Sequence, residues 1–409
     1  MLVVRAVVFC LLASIVRAQT AVHVVAPVAG PGIEFTSIAA ALAASADGDT
    51  ILVRSGSYPA FAVNAHSIAI TAEEGGDVVI AGGVFVLGVP AGGLVSLHGL
   101  SVHADEFSAA ISLVNNLGSV WLEDCTLTGF QHAFFSVFLQ GTPALLVDHS
   151  DSVAITGCLL QGGWGVAGEP GANCISSNVH LFASTLIGGA GHCEDAPSQH
   201  CGDAGPGLRV WGGFASAQSS TLEGGAAAAG LSACPGCQCS QIGKGGVAVE
   251  LSTGSPWLDF FDVTLRPGAA TEPCGVVGSD ISGADNGELG QSFGGKFVLS
   301  FGSPVNEGGL TTLSADGRPG DTAFVLFSLL PQDAWLGKQG GTLLCSLPAV
   351  ITVLGLLDEL GQLTVEVEVP PLPPGFEGLP IVLQGLRMSD TGDMLLANPL
   401  RPVLLQKGI

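Results

Sequence analysis

Basic residues are scarce in this chain of 409 residues: 12 are Lys or Arg, 35 are Asp or Glu, and the formal net charge is −23. Such a chain lacks the basic patches with which proteins hold nucleic acid, and an anionic membrane surface would repel it. Charged residues of both signs make up only 11% of the sequence, whereas 60 residues are Gly. This composition favours tightly turned β structure over helices.

Long apolar runs are missing after the N-terminus. A single Arg, Arg5, precedes an apolar run from Ala6 to Val16, and small or apolar residues lie at Val16 and Ala18, which predicts a secretory signal over residues 1–18. A membrane anchor is the alternative, but the run is shorter than the ~20 residues of a span. Removing Arg5 and Arg17 leaves 12 − 2 = 10 basic residues against 35 acidic ones, a net charge of −25. We therefore expect a secreted or cell-surface protein without a membrane span in the mature chain.

Motifs for nucleotide binding and for serine esterases are also absent. The sequence has no Gly-x-Ser-x-Gly elbow, no Walker loop and no dinucleotide-binding fingerprint. No cofactor is predicted, and the acidic composition suggests Ca²⁺ as the one ion to test.

The chain does contain an eight-residue repeat. Positions one, three and eight are apolar in every copy, position six is small or apolar, and the other positions are mostly polar or Gly. This alternation predicts two short strands with a bend between them. Double glycines follow several copies, as at Gly162-Gly163, and predict turns with positive φ. The six copies begin at Val95, Val120, Val153, Val179, Ala215 and Leu258.

Another short apolar strand precedes most copies. Three strands per repeat, joined by loops of variable length, predict a parallel β-helix whose coils stack ~4.8 Å apart. A sandwich would need hairpin signals, and Asn-Gly and Asp-Gly turns are rare, while the 3.6-residue period of helical repeats is absent. These additional strands are predicted at Ile111–Leu113, Leu145–Val147, Leu208–Val210 and Val247–Val249.

Residues 34–58 predict a cap for one end of the solenoid. Phe35, Ile38, Ala39, Leu42 and Ala43 have the spacing of an amphipathic helix, which Thr36 or Ser37 could cap, and a strand follows at 50–53. This segment resembles the N-terminal cap of right-handed β-helix proteins of the pectate-lyase-like superfamily. The residues that match are Phe35, Ile38, Ala41, Gly48, Asp49, Thr50, Ile51, Val53, Gly56 and Tyr58.

The resemblance covers about residues 34–290 and implies a right-handed parallel β-helix, without implying an activity. The superfamily includes lyases, hydrolases, esterases, adhesins and inert surface proteins. The cap and first strand are expected over 19–58 and the β-helix over 59–293. Six apolar segments predict a small antiparallel β-sandwich over 297–409. This tail is similar to the C-terminal β domain of large secreted bacterial β-helix proteins, and capping the solenoid is its expected role, with sorting or anchoring as alternatives.

Weak catalytic candidates lie at the outward positions of the repeat. Enzymes of this superfamily carry acids at stacked positions on one solvent face, and His98, Glu123 and Asp124 could form a small acid–base or cation site there. No second carboxylate faces Glu123 at the ~5–9.5 Å that glycoside hydrolysis needs. Arg209 is the only Arg of the middle coils and could act as a lyase base, although the Asp cluster of a calcium site is missing. The alternative is a solvated outer face.

The cysteines predict disulfides. The mature chain has 11 − 1 = 10 Cys, an even number that favours pairing outside the cell, and their spacing fits no usual zinc site. Cys193 could pair with Cys201 across the segment HCEDAPSQHC. Cys125 and Cys158 share position six, so they could form a disulfide or a buried pair of thiols. The remaining candidates, which could pair among themselves, are Cys174, Cys234, Cys237, Cys239 and Cys274.

Two functions are compatible with these observations. The first is a scaffold whose loops or groove bind polysaccharide or another surface protein; the second is a polysaccharide lyase or glycoside hydrolase with an atypical site. A face of Gly, Ser and Thr would indicate the scaffold, and stacked carboxylates on one face would indicate the enzyme. Four tryptophans could stack on sugar rings or pack in the core, namely Trp121, Trp164, Trp211 and Trp257.

Overall fold

Three parallel sheets wind into a solenoid in the computed structural model. The structure describes residues 20–131, 141–165, 167–191, 202–227, 243–252, 256–269, 277–283, 288–291, 296–336, 341–347 and 349–409. The predicted signal segment lies outside these residues. The solenoid is followed by antiparallel sheets, so the predicted fold class, a parallel β-helix with a C-terminal β-sandwich, is confirmed.

The strands fall into three columns. Sheet I contains β1 (Val22–Val25), β2 (Thr50–Val53), β4 (Ile68–Ala72), β6 (Leu94–His98), β9 (Ser119–Glu123), β12 (Ser152–Thr156), the second halves of β14 (Ala172–Phe182) and β16 (Leu208–Gln218), β19 (Trp257–Phe261) and β22 (Glu288–Gln291). Sheet II contains the first halves of β3 (Gly56–Asn64) and β5 (Val78–Leu87), then β7 (Leu100–His103), β10 (Thr126–Thr128), β13 (Leu159–Gln161), β15 (Thr185–Ile187), β17 (Thr221–Glu223) and β20 (Thr264–Arg266). Sheet III contains the second halves of β3 and β5, β8 (Ile111–Val114), β11 (Leu145–Asp148), the first halves of β14 and β16, β18 (Val249–Leu251) and β21 (Ile281–Ser282).

The register of these sheets reproduces the predicted repeat alignment. Position one of each copy pairs with position one of the next, from Val95 through Val120 and onward to Leu258. Position eight pairs likewise from Val102 to Leu265. Most of these side chains are fully buried, because like residues stack along the inside of the solenoid. Of the strands predicted before the repeats, Val247–Val249 was placed two residues early, since β18 is Val249–Leu251.

The bend between sheets I and II is the fifth position of the repeat. Its residue takes a left-handed conformation in every copy, so the chain turns from β6, β9, β12, β14, β16 and β19 into sheet II within a single residue. A left-handed backbone is costly for residues other than Gly, Asn and Asp. The six bend residues are Gly99, Asp124, Gly157, Ala183, Ser219 and Asp262.

The double glycines do not form the turns with positive φ that the sequence predicts. Instead, glycine-rich segments leaving sheet II and returning to sheet III pack against those of neighbouring coils, and their backbones bond directly. Gly205 N–H donates to Gly189 O at 2.8 Å, and Gly225 N–H donates to Gly205 O at 2.9 Å. A Cβ at Gly225 would lie 2.0 Å from Gly189 O. Close backbone approach, rather than turn conformation, therefore requires glycine here.

The N-terminal cap is confirmed. Helix α1 (Ile38–Ala44) is capped by Ser37, whose Oγ accepts the N–H of Ala40 at 3.2 Å. Ile38, Ala41 and Leu42 are buried and join the solenoid core, which the helix closes at this end. Ala39 and Ala43, which helical spacing also placed on the apolar face, are exposed.

The β domain, residues 296–409, has twelve strands among the residues that the structure describes, twice the six predicted. One antiparallel sheet joins β23 (Val298–Phe301), β25 (Leu310–Asp316) and β30 (Gln362–Glu368). A second joins β29 (Val350–Leu356), β26 (Thr322–Ser328), β32 (Val382–Met388) and β33 (Met394–Leu400), and the two share a core. The smaller pairings involve β24 (Val305–Asn306), β34 (Val403–Leu405), β31 (Gly378–Pro380), β27 (Pro331–Trp335) and β28 (Thr342–Cys345).

The β domain lies along the side of the solenoid and covers sheet I. Near the first coils, Val22, Leu52 and Ala69 pack on Val403 and Leu405. Further along the solenoid, Trp121, Ala154 and Phe182 pack on Leu343, Leu344 and Leu396. The predicted role of an end cap therefore does not describe its position, because its contacts follow one sheet over many coils.

Candidate functional site

The outward positions two and four of the repeat lie on sheet I, beneath the β domain. Trp121 is 1% exposed, and Phe182, Glu123, Thr156 and Gln218 are each 4% exposed. Polar members bond across the interface: Gln218 Nε2 donates to Leu396 O at 2.9 Å, and Thr156 Oγ1 donates to Pro399 O at 3.3 Å. The alternative considered from the sequence, that these outward positions form a solvated face, is therefore wrong for positions two and four.

His98, Glu123 and Asp124 lie on adjacent coils, with Glu123 buried under the β domain and the Asp124 side chain 64% exposed at the bend. His98 and Glu123 are register partners on adjacent strands. His98 Nε2 lies 3.5 Å from Asp124 Oδ2, and its Nδ1 lies 3.2 Å from Thr71 Oγ1. The β domain adds Arg401, which sequence spacing could not place here, since it follows β33 near the end of the chain. Its backbone N–H and its charge both act to lower the pKa of Glu123.

The electrostatics of this cluster follow from its burial. Burial raises the pKa of Glu123 to about 7, although the charges of His98 and Arg401 act in the opposite direction. Burial lowers the pKa of His98, but the Asp124 carboxylate, which accepts from the His98 ring, and the charges of Glu123 and Asp124 outweigh this effect, and the pKa is raised above its usual value. Glu123 therefore titrates near neutral pH, but it is buried under the β domain and sealed from any polymeric substrate.

Arg209 lies apart from these residues. It is on the part of β16 that belongs to sheet III, and its Nε donates to Glu250 Oε2 at 2.9 Å on the next strand. Its charge also lowers the pKa of Glu169, which burial raises more strongly. A lyase centre combining Arg209 with the His98 cluster is not formed, because the two groups occupy different sheets.

The described cysteines are free thiols inside the molecule. Cys125 and Cys158 stack at position six as predicted, and the N–H of Cys125 donates to Cys158 Sγ at 3.4 Å. Cys174 is an inward residue of β14, so it does not belong to the loops in which the sequence placed it. Burial raises the pKa of Cys174 to about 12. Six of the predicted disulfide candidates lie outside the described residues, namely Cys193, Cys201, Cys234, Cys237, Cys239 and Cys274.

Sheet II remains open to solvent and carries a row of hydroxyl groups. Position seven of the repeat is Ser or Thr in five of the six copies, and Leu159 is the exception. Members on adjacent strands pair in register, as Thr185 does with Thr221 and Thr221 with Thr264, which spaces them about 4.8 Å apart. Leu159 interrupts the row between Thr126 and Thr185. We name Ser101, Thr126, Thr185, Thr221 and Thr264 the hydroxyl row. The repeat alignment already contained this signal at position seven.

A cleft of about 550 Å³ lies between the I–II bend and the β domain. We call it the hydroxyl cleft, since hydroxyl and amide groups from both parts of the chain line it. Ser219, a bend residue two positions before Thr221, belongs to it, so the cleft borders the hydroxyl row. Lys296 and Asp316 form an ion pair on its wall. The remaining polar lining residues are Ser300, Ser314, Gln362 and Thr364.

The predicted tryptophans divide between buried and exposed positions. Trp121 is buried under the β domain, whereas Trp211 and Trp257 are 46% and 41% exposed. Trp257 packs edge-on against Phe214 with ring centroids 6.4 Å apart, and Trp211 lies on the outer face of sheet III. Trp211 and Trp257 are therefore accessible for stacking on a sugar ring, whereas Trp121 is not.

Among the described residues, no cluster of three or more His, Cys, Asp or Glu side chains is arranged to hold a metal ion. The same part of the chain contains no helix with the length and apolarity to cross a bilayer. Comparison with known proteins finds no matching family model, no similar curated protein and no similar solved structure.

Proposed function

We propose that this protein is a secreted or cell-surface scaffold that binds polysaccharide along sheet II and the hydroxyl cleft. The observation that carries the proposal is the contrast between the two outward faces. Glu123 is sealed on the covered face, and the open face presents Ser and Thr hydroxyls on adjacent strands. Hydroxyls on a regular lattice suit a ligand that repeats its own hydrogen-bonding groups along a chain.

The charge of the molecule supports a neutral polysaccharide. A net charge of −23 repels polyanions at long range, and the cation of the hydroxyl cleft, Lys296, is already paired with Asp316. Serine and threonine hydroxyls both donate and accept hydrogen bonds, so they can bind sugar hydroxyls without a charge on either partner.

The test is a binding measurement on a panel of neutral and acidic polysaccharides. Titration calorimetry should detect binding to at least one neutral polymer and none to the acidic ones. A Thr185→Val, Thr221→Val double variant keeps the side-chain shape and removes two hydroxyls. Each lost hydrogen bond contributes about 1 kcal/mol, so the double variant should bind about tenfold more weakly or worse.

Thr322→Val is the matched control, because Thr322 lies on β26 of the β domain, away from sheet II. Equal weakening by the control, or no binding to any polymer, would overturn the proposal. Reducing ends and the absorbance of unsaturated products are followed in parallel, with and without Ca²⁺. Turnover that disappears in Glu123→Gln or Arg209→Ala would instead identify a carbohydrate-active enzyme.

A further inference from the structure

The guanidinium of Arg401 is buried but mostly unpaired. Arg401 is 9% exposed, and its Nη1 donates to Ser96 Oγ at 2.8 Å. Within the part of the chain that the structure describes, the guanidinium makes no second hydrogen bond and no ion pair within 4 Å. A guanidinium has five N–H donors. No other N–H group of Arg401 is among the buried, unsatisfied side-chain atoms of the described residues, so these groups are accessible from the cleft that Arg401 lines. Most of the hydrogen-bonding capacity of Arg401 is therefore available to another molecule.

Arg401 lines a cleft of about 820 Å³ at the opposite edge of the interface from the bends between sheets I and II. We name it the Arg401 cleft. One wall comes from the turn before β6 and the other from the β domain. The apolar part of the lining includes Leu94, Leu329, Leu330, Leu347, Phe376 and Leu379. A mostly apolar cavity of this size with one convergent charged group is the usual form of a small-molecule site.

The exposed fraction of each lining side chain shows how deep it lies in the Arg401 cleft. Arg401 and Leu94 are 9% and 4% exposed, whereas Leu330 and Leu347 are 42% and 61% exposed. The cation therefore lies at the deep end, and the mouth is apolar. The one acidic lining residue, Asp47, is at the mouth, where its carboxylate accepts the N–H of Ser67 at 2.9 Å and lies 3.2 Å from His66 Nδ1. Asp47 is thus occupied by neighbours and does not pair with Arg401.

We infer that the Arg401 cleft binds an amphiphile with a carboxylate head and an alkyl tail. The head accepts hydrogen bonds from the free N–H groups of Arg401, whose planar fork matches a carboxylate. The tail runs over the leucines toward the mouth and buries apolar surface that is otherwise in contact with water. This site is separate from the hydroxyl row and does not depend on the proposed glycan binding.

Dodecanoate is the probe, and calorimetric titration of the full chain measures its binding. Dodecanol tests the need for the charge, and acetate tests the need for the tail. We expect saturable binding of dodecanoate and at least tenfold weaker binding of both controls. Arg401→Lys keeps a positive charge but loses the fork, and should weaken dodecanoate binding about tenfold or more.

A second variant keeps the test valid if Arg401→Lys fails to fold. Leu347→Asp places a negative charge at the exposed mouth and should weaken dodecanoate binding strongly. Leu360→Asp introduces the same charge at a residue that is 78% exposed and does not line the cleft, so it should leave binding unchanged. Dodecanol binding as tight as dodecanoate, equal effects of the two Asp variants, or no binding of dodecanoate would each overturn the inference.

Discussion

Sheets I and II come from the same eight-residue repeat, yet their outer faces have opposite surroundings. The outward residues of sheet I touch the β domain from Val22 to Phe261, and those of sheet II face solvent. The covered face mixes Trp121, Phe182 and Phe261 with polar groups, whereas position seven of the open face is Ser or Thr in five of the six copies. The repeat position of a residue in the β-helix therefore determines whether its side chain points inward or outward. Whether an outward side chain is exposed to solvent depends on the neighbouring β domain.

The sharpest test of this difference compares two tryptophans. Trp121→Ala removes a side chain packed between sheet I and the β domain and should lower the free energy of unfolding by about 3–5 kcal/mol. Trp211→Ala removes the same side chain from an exposed position on sheet III and should cost about 1 kcal/mol or less. Urea unfolding of both variants provides the measurement. Similar losses in the two variants would mean that the β domain does not cover sheet I in solution.

The next test uses pH. Glu123 has a pKa of about 7 in the folded chain against an ordinary value of 4.5. This difference corresponds to a contribution of about 3 kcal/mol to the free energy of unfolding when Glu123 is protonated in the folded chain. Because the folded-state pKa is raised, this stability is present below pH 4.5 and is lost as the pH rises to about 7. His98, whose pKa is also raised, contributes in the same direction.

Glu123→Gln should therefore flatten most of the pH dependence of the unfolding free energy between pH 4.5 and pH 7. At pH 8 the variant should be more stable than the parent by up to about 3 kcal/mol, since it never places a charge in the interface. Chemical unfolding at several pH values measures both effects. An unchanged pH profile in the variant would contradict the burial of Glu123.

The smallest expected effect compares two glutamines. Gln218→Ala removes the donor to Leu396 O and Phe297 O across the interface and should cost about 1–3 kcal/mol. Gln161 lies at an exposed position of sheet II, so Gln161→Ala should stay within about 0.5 kcal/mol of the parent. Thermal unfolding of the two variants separates these outcomes. A larger loss at Gln161 would show that sheet II is covered by something other than solvent.

Much of the solenoid could be predicted from local pattern. The alternation of apolar residues placed the inward positions of sheets I and II in the correct register, and the spacing of Phe35, Ile38 and Leu42 identified the capping helix. Two of the expectations that the structure corrects show why local pattern is insufficient. Glycine is required both in left-handed turns and where two backbones pack closely. The sequence predicts turns at Gly189 and Gly225, but close backbone packing is the reason for glycine at both positions. A short strand rich in small and polar residues has no apolar signature, so the sequence pattern predicts a loop at Cys174, which lies in β14.

The candidate site was predicted only in part. His98 and Glu123 are neighbours because the repeat stacks them, and stacking is visible in the sequence. Arg401 is 278 positions beyond Glu123, and no local pattern relates the two. Its contact depends on how β33 and β34 lie against sheet I. The hydroxyl row was visible at position seven, but its exposure became clear only once the covered sheet was known.

By itself, the sequence determined that this protein is a parallel β-helix with a capping helix and a β-rich tail, because a strand buries its apolar residues with a period of two and a solenoid repeats that period coil after coil. Only the tertiary structure decided which outer face is closed, that Arg401 joins Glu123 at the interface, and that the two clefts border it. Those features depend on the docking of one domain against another, which brings together residues that are distant in the chain and leaves no periodic trace in either.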